Sequence, residues 1–313
     1  MNMADERQYD IVIVGGGPGG LTAGMYGSRA NMKTVVVERF LPGGQIANTE
    51  TVEDYPGFEH IAGADLALKM ADHARKFGLE IVSDEVVEVR SEGESRKVAV
   101  GAGGTTYVGK AMIMSTGGSP VMLNVPGEKE FTGKGVSYCA ICDGAFFKGQ
   151  IIAVVGGGDA AVEEAMFLTT FGSKVIVIHR RDQLRAQKII QNRAFANPKM
   201  EFIWDTVVEK INGDAKVRSL FLKNVKTGAT STLDVGAVFV FIGFHPNIAM
   251  LPIGIALSDR GYLITDFKME TSIPGIFACG DVRDQLVRQI TNAVGDGTTA
   301  AMAAVYRIEQ IEG

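Results

Sequence analysis

Tyr9-Asp10-Ile11-Val12-Ile13-Val14-Gly15-Gly16-Gly17-Pro18-Gly19-Gly20 is the stretch from which the rest of the chain can be read. Tyr9–Val14 is short, apolar and rich in β-branched residues, the composition of a strand buried on both faces in a parallel sheet. The glycines end it. Leu21–Ala30 then places small and apolar residues at helical spacing, and Lys33–Val37 predicts a second strand that ends on the acidic Glu38. Strand, glycine turn, helix and strand make a βαβ unit. In such a unit Gly15 makes the tight turn, Gly17 lets a pyrophosphate approach the backbone, and Gly20 lets helix and strand pack closely, with the phosphates at the helix N-terminus. Glu38 follows Gly20 by 18 residues, near the ~20 at which a dinucleotide fingerprint carries an acid for the ribose hydroxyls.

The same order returns at an offset of 141 residues: strand Ile151–Val155, turn Gly156-Gly157-Gly158-Asp159-Ala160-Ala161, helix Val162–Phe171 and strand Lys174–Ile178. Gly15, Gly17, Gly20 and Glu38 map onto Gly156, Gly158, Ala161 and His179. Where the first copy has its acid, the second reads His179-Arg180-Arg181-Asp182-Gln183-Leu184-Arg185. A carboxylate there would repel a 2′-phosphate, whereas guanidinium groups bind one. The second copy is therefore expected to take NADPH through Gly156, Gly158, Asp159, Ala160, His179, Arg180, Arg181 and Arg185. The bland alternative, a solvated basic strand end, does not explain the aligned register. Two nicotinamide sites would leave hydride with no acceptor in the chain, so the phosphate-free first site suits FAD.

Gly/Pro clusters at Ser115-Thr116-Gly117-Gly118-Ser119-Pro120 and Gly243-Phe244-His245-Pro246-Asn247 mark two crossings. The expected fold is α/β, with two Rossmann-like three-layer dinucleotide-binding domains. Residues 1–118 and 247–313 form one discontinuous domain, and 119–246 is inserted into it. Later, Ile276–Cys279 followed by Gly280-Asp281 suits a second contact to a long cofactor, and Thr298 to Ile308 reads as a helix. The chain has 313 residues, 39 of them Gly, with 31 basic against 36 acidic side chains and a net charge of −5. Without clustered positive charge, neither nucleic acid nor anionic lipid is an expected partner. The longest apolar stretches, such as Ala237–Ile242, fall short of a membrane span, and a polar Met1–Asp10 carries no signal-peptide core, so a soluble, cytoplasmic protein is expected.

Three cysteines cannot make a disulfide framework in a chain of this length. Cys139-Ala140-Ile141-Cys142-Asp143 has the C-x-x-C spacing that permits a small disulfide ring and lowers a thiol pKa. Zinc would need about four ligands, but there is no second C-x-x-C and His60, His73, His179 and His245 are scattered, so no metal is expected. Asp143 reads either as the acid that protonates a leaving thiolate or as a helix N-cap. Cys279, at the end of an apolar strand, reads as a small core residue.

Taken together, Gly15–Gly20, Gly43-Gly44-Gln45, Tyr55-Pro56-Gly57, Cys139–Gly144, Gly156–Ala165, His179–Ala186 and Gly275–Gln289 resemble the low-molecular-weight thioredoxin reductases over nearly the whole chain. The resemblance implies FAD in the discontinuous domain and NADPH in the inserted one. It also implies a redox-active Cys139–Cys142 disulfide, thioredoxin as partner, and a homodimer. Carried over, Cys142 faces the flavin, Cys139 exchanges with the partner disulfide, Asp143 is the acid, and the FAD contacts are Gly15, Gly17, Pro18, Gly20, Glu38, Gly44, Gln45, Thr116, Gly117, Asp281, Arg288, Gln289 and Ile290. Ile141 departs from the family, many of whose bacterial members have Thr there. One flavin must meet both the nicotinamide and the cysteine pair, which makes domain rotation about the two crossings the natural expectation. A flavin-dependent dithiol oxidase, a reductase of another small dithiol carrier, and a dinucleotide-binding redox sensor are the alternatives. The arginine cluster weighs against the oxidase, and the intact C-x-x-C with its acid against the sensor.

Overall fold

A computed structural model describes residues 6–49 and 51–313, apart from the side chains of Thr51, Cys142 and Phe244. The chain divides into two compact units, one running through Ser119 and resuming at Pro246–Gly313, the other Pro120–His245.

The first unit is built on a five-stranded parallel sheet ordered Ile276–Ala278, Ala111–Met114, Ile11–Val14, Thr34–Glu38 and Glu80–Ser83. Ile11, Val12 and Ile13 are fully buried, because helices cover both faces of such a sheet or a second layer does. Here Pro18–Arg29 and Ile290–Glu312 lie on one face, where Ala23, Ala300, Ala301 and Ala304 share a core with Ile11 and Ile13. Val12, Val14, Met112 and Met114 face the other layer, a four-stranded sheet of Glu6–Gln8, Thr106–Gly109, Lys97–Gly101 and Val86–Ser91. The first helix starts three residues earlier than its apolar spacing predicts, with Pro18 at a position where a missing N–H costs nothing.

The second unit repeats the plan. Its parallel sheet runs Val136–Ser137, Ala237–Phe241, Ile151–Gly156, Lys174–Ile178 and Met200–Ile203. Helices Asp159–Leu168 and Lys188–Ala196 pack on one face, and an antiparallel sheet of Thr206–Gly213, Val217–Asn224 and Thr230–Asp234 shares the core of the other. In each sheet the strand before the glycine turn has the next strand of the sheet on one side and a strand from much later in the chain on the other, so the strand order reverses there. That reversal opens a crevice beyond the strands' C-terminal ends, where doubly wound sheets bind ligands. Among the described residues no helix is long and apolar enough to cross a membrane.

Phe239 lies at the centre of the second unit, fully buried and edge-on to Phe147 at 5.9 Å. Phe239→Ala should cost about 3–5 kcal/mol. Trp204, the single tryptophan, lies in this unit, stacked on Phe202 at 5.3 Å, so its fluorescence reports unfolding there. The urea midpoint should fall by about 1 M or more; an unchanged midpoint would contradict this packing.

Candidate functional site

Both glycine turns owe their shape to close backbone approaches. A Cβ at Gly15, whose φ is +101°, would lie 2.3 Å from the carbonyl oxygen of Ser115 at the end of the neighbouring strand, and one at Gly20 would lie 2.0 Å from the Gly15 oxygen. No side chain fits either place. Gly17, by contrast, has open space within 4 Å, which is what a pyrophosphate needs over the turn. The second turn follows the same pattern: a Cβ at Gly156 would meet the Phe241 oxygen at 2.4 Å, while Gly158 is open.

Glu38, Gly44, Gln45 and the Thr116–Gly117 segment lie around the first turn. Glu38 Oε2 accepts the Gly16 N–H at 2.6 Å and Oε1 accepts the Phe40 N–H at 2.9 Å, so the carboxylate is fixed beside the turn with lone pairs to spare. Gly43 N–H donates to Gly16 O at 2.7 Å, laying Gly44 3.2 Å from the Gly17 Cα by its Cβ position. Gln45 Nε2 donates to Gly118 O at 3.2 Å. Thr116 Oγ1 donates to Asn247 O at 2.7 Å and Asn247 N–H to Gly117 O at 3.0 Å, which ties the first crossing to residue 247 of the same unit.

Gly280, in a left-handed conformation at φ +72°, begins a short 3-10 turn that carries Asp281. Burial pushes the Asp281 carboxyl above the usual carboxylate range, against the pull of Arg288. Arg288 stacks its guanidinium 4.2 Å over the Tyr262 ring, and its Nε and Nη2 are buried without a hydrogen-bond partner among the described residues. Gln289 stands in extended conformation at the N-cap position of the C-terminal helix, and Ile290 is the first residue of that helix. Two supports escape the sequence reading. Asp296 Oδ2 accepts the Gly280 N–H at 3.1 Å and pairs with Arg283 Nη1 at 2.7 Å, both side chains nearly buried. The available signal is an acid, Asp296, between glycines on the buried side of an alanine-rich helix.

In the second unit Arg185 N–H and Ala186 N–H donate to Gly157 O at 2.7 and 3.2 Å, folding the basic segment back onto its turn. Leu184 and Ala186 are buried, which leaves Arg180, Arg181 and Arg185 exposed. Asp159 begins the helix and accepts the Gln187 N–H at 2.7 Å, fastening this turn to the next helix. His179 differs from the arginines that follow it: only 5% exposed, its ring lies under Gly157, where a Cβ would stand 2.4 Å away. Burial holds this imidazole below its ordinary value, assisted by Arg185, Arg181 and Arg180. Its neutral ring supports the turn from beneath.

Cys139 and Asp143 belong to the same unit. Cys139 is disulfide-bonded, and the short helix Ala140–Asp143 follows it. The Cys142 backbone lies in that helix, and the role assigned to its side chain lies outside the described residues. Asp143 makes no side-chain capping bond to the turn it precedes, so capping does not account for its carboxyl. Ser137 Oγ both accepts the Cys139 N–H at 3.1 Å and donates to Cys139 O at 3.2 Å. No group of three or more His, Cys, Asp or Glu among the described residues is arranged to hold a metal ion.

The pyridine nucleotide-disulphide oxidoreductase family matches residues 9–297. The chain is similar to a thioredoxin reductase of Bacillus subtilis, at 48% identity over 312 residues covering 99% of this chain and 98% of that one. A thioredoxin reductase of Listeria innocua is 47% identical, with 99% and 97% covered. Among solved structures, a thioredoxin reductase of Lactococcus lactis superposes with a TM-score of 0.94 at 47% identity, over 96% of this chain and 99% of that one.

Cys279 stands apart from this chemistry. It is fully buried and free, and burial pushes its thiol up to about 12 despite a hydrogen bond with Ser115. Ordinary thiols ionise near 8.5, so at pH 8 this one carries almost no thiolate. Iodoacetamide at pH 8 should leave Cys279 unlabelled in the folded protein and label it in urea. Peptide mass mapping reads both states, and labelling of the folded protein at the rate of a free thiol would refute the assignment.

Proposed function

The chain belongs to the pyridine nucleotide-disulphide oxidoreductases and, within them, to the thioredoxin reductases, and from that membership we propose that it uses NADPH, through FAD, to reduce the disulfide of a thioredoxin. The reaction consumes NADPH, a proton and a protein disulfide, and yields NADP+ and a dithiol. The observation that carries the reading is the presence in one unit of a disulfide-bonded Cys139 and a glycine turn fronted by three exposed arginines.

FAD fits the first turn. Gly17 leaves room for the pyrophosphate, the fixed carboxylate of Glu38 accepts from ribose hydroxyls, and the unpartnered nitrogens of Arg288 and the buried Asp281 offer polar groups to a ligand. Pro18, Gly20, Gly44, Gln45, Thr116, Gly117, Gln289 and Ile290 complete the set. Bound FAD supplies the two-electron relay between a nicotinamide and a disulfide. NADPH fits the second turn, its phosphates over Gly156, Gly158, Asp159 and Ala160 and its 2′-phosphate on Arg180, Arg181 and Arg185. His179 holds Gly157 and presents the arginines. Cys139 and Cys142 form the disulfide; once the two electrons of NADPH have reduced it to the dithiol, the Cys139 thiolate attacks the incoming protein disulfide, Asp143 donates the proton that the departing thiolate takes, and Cys142 releases the second thiol from the mixed disulfide as the Cys139–Cys142 bond re-forms. The homodimer belongs to the same reading.

Charge-assisted bonds contribute about 1.5–3 kcal/mol each. The double substitution Arg180→Ala with Arg181→Ala should therefore lower the NADPH-to-NADH ratio of kcat/KM by roughly a hundredfold; steady-state kinetics with both nucleotides measure it, and an unchanged ratio would sink the assignment. Cys139→Ser should abolish thioredoxin reduction while NADPH still bleaches the flavin absorbance. Loss of bleaching would contradict the order of transfer.

A further inference from the structure

Glu128 belongs to neither the glycine turn nor the C-x-x-C, yet it is 1% exposed. Its Oε1 accepts the Leu123 N–H at 2.7 Å and the Tyr138 hydroxyl at 2.8 Å, and its Oε2 accepts the Asn124 N–H at 2.6 Å. Three donors converge on the two oxygens, where an amide would turn an NH2 toward one of them. Asn124, the second of the two backbone donors, itself takes a left-handed conformation at φ +58°. Burial and the adjacent carboxylate together push the Tyr138 phenol above its ordinary value, so the hydroxyl keeps its proton and stays a donor.

The position of these donors in the chain gives the arrangement its meaning. Leu123 and Asn124 follow directly on the crossing at Pro120, whose neighbour Val121 donates its N–H to Gly243 O at 2.9 Å. Tyr138 immediately precedes Cys139. One buried carboxylate thus joins the segment that enters the unit to the segment that carries the thiol, and Leu123, Val125 and Tyr138 pack against the same core. From the other side Ser137, in a strand paired to Phe239, grips both the N–H and the carbonyl of Cys139.

Resting on the reading of Cys139–Cys142 as the redox disulfide, we infer that Glu128 is a positioning residue for that couple, acting through the Tyr138 hydroxyl to hold the backbone at Cys139 where the ring closes. A dithiol whose backbone is already held loses less freedom on forming the disulfide, so the tether favours the oxidised form. Releasing it lets the reduced segment gain conformations and moves the equilibrium toward the dithiol.

The test is a thiol–disulfide titration of the holoenzyme, anaerobically, in mixtures of reduced and oxidised dithiothreitol, followed by acid quench, maleimide labelling and mass measurement at Cys139 and Cys142. Tyr138→Phe keeps the ring and the turn and removes the tether, along with the hydroxyl's hydrogen bond with Thr132; it should shift the equilibrium constant toward the dithiol by about 3- to 10-fold. Glu128→Gln, tested alongside, should shift it in the same direction, and adding Tyr138→Phe to it should shift it no further. A purely structural role would lower the thermal midpoint of these variants without moving the couple. An unmoved couple in Tyr138→Phe, with the unsubstituted enzyme titrating reversibly, overturns the inference. Failure of the unsubstituted enzyme to show any couple at these two cysteines overturns the underlying assignment instead.

Discussion

A Cβ at position 20 would sit 2.0 Å from the carbonyl oxygen of residue 15, and that exclusion governs much of the molecule. Helix Pro18–Arg29 can begin directly at the end of the central strand only if the turn folds back on itself with no side chain between. The same economy of space recurs where that helix meets the C-terminal one: a Cβ at Gly297 would stand 2.2 Å from Gly19 O. Helices pressed this closely leave Ala23, Ala300, Ala301 and Ala304 to fill the layer, and larger residues would force the helices apart. Gly15, Gly20 and Gly297 are thus places where backbone meets backbone. Such close approaches bring unsatisfied helix N–H groups to the mouth of each sheet, where an anion is stabilised.

Electrostatics then separates two turns of the same shape. At the first, both oxygens of Glu38 are fixed by backbone N–H groups, so the negative charge cannot swing away from a ligand. At the second, buried Leu184 and Ala186 anchor a loop whose arginines have no such restraint and stay in water. Exposed guanidinium groups are easily screened until a phosphate meets them, which suits recognition of a nucleotide that must come and go. The cysteines divide in a similar way: Cys139 sits half-buried on a strand end and short helix, whereas Cys279 lies sealed behind Ser115 and Gly19.

The α/β fold was legible because its signals are local. β-branched runs, glycine turns and the repeat of the whole pattern need no knowledge of distant contacts. Distant contacts explain the parts that were not legible. Glu80–Ser83 and Val86–Ser91 are nearly continuous in sequence yet lie in different sheets, because Asp84 turns the chain: its N–H donates to Glu38 O and its carboxylate accepts from the Glu85 N–H and the Tyr107 hydroxyl. The last helix starts at Ile290 and not at Thr298: glycines weaken a helix in isolation, but here Gly297 is the one that lets Gly19 O approach, 2.2 Å from where a Cβ would stand. At the candidate site, the residue types at the two turns and the cysteine pair could be named from spacing alone. The ring of His179 beneath Gly157, the clasp of Asp296 on Gly280 and the three donors on Glu128 could not, because each joins residues that only tertiary folding brings together.

The order in which strands appear along the chain also bears on synthesis. All five strands of the second unit's parallel sheet lie within Pro120–His245, so that unit is complete as soon as its own segment has emerged from the ribosome. The first unit is not: the edge of Ala111–Met114 has no neighbour until Ile276–Ala278 is made, and the helix that covers Ile11 and Ile13 comes last of all. Domains fold as units during translation, and an unpaired strand edge invites wrong partners. The inserted unit is therefore born into a half-built host, and the nascent chain depends on Ile276–Ala278 to complete the sheet that Ile11–Val14 began.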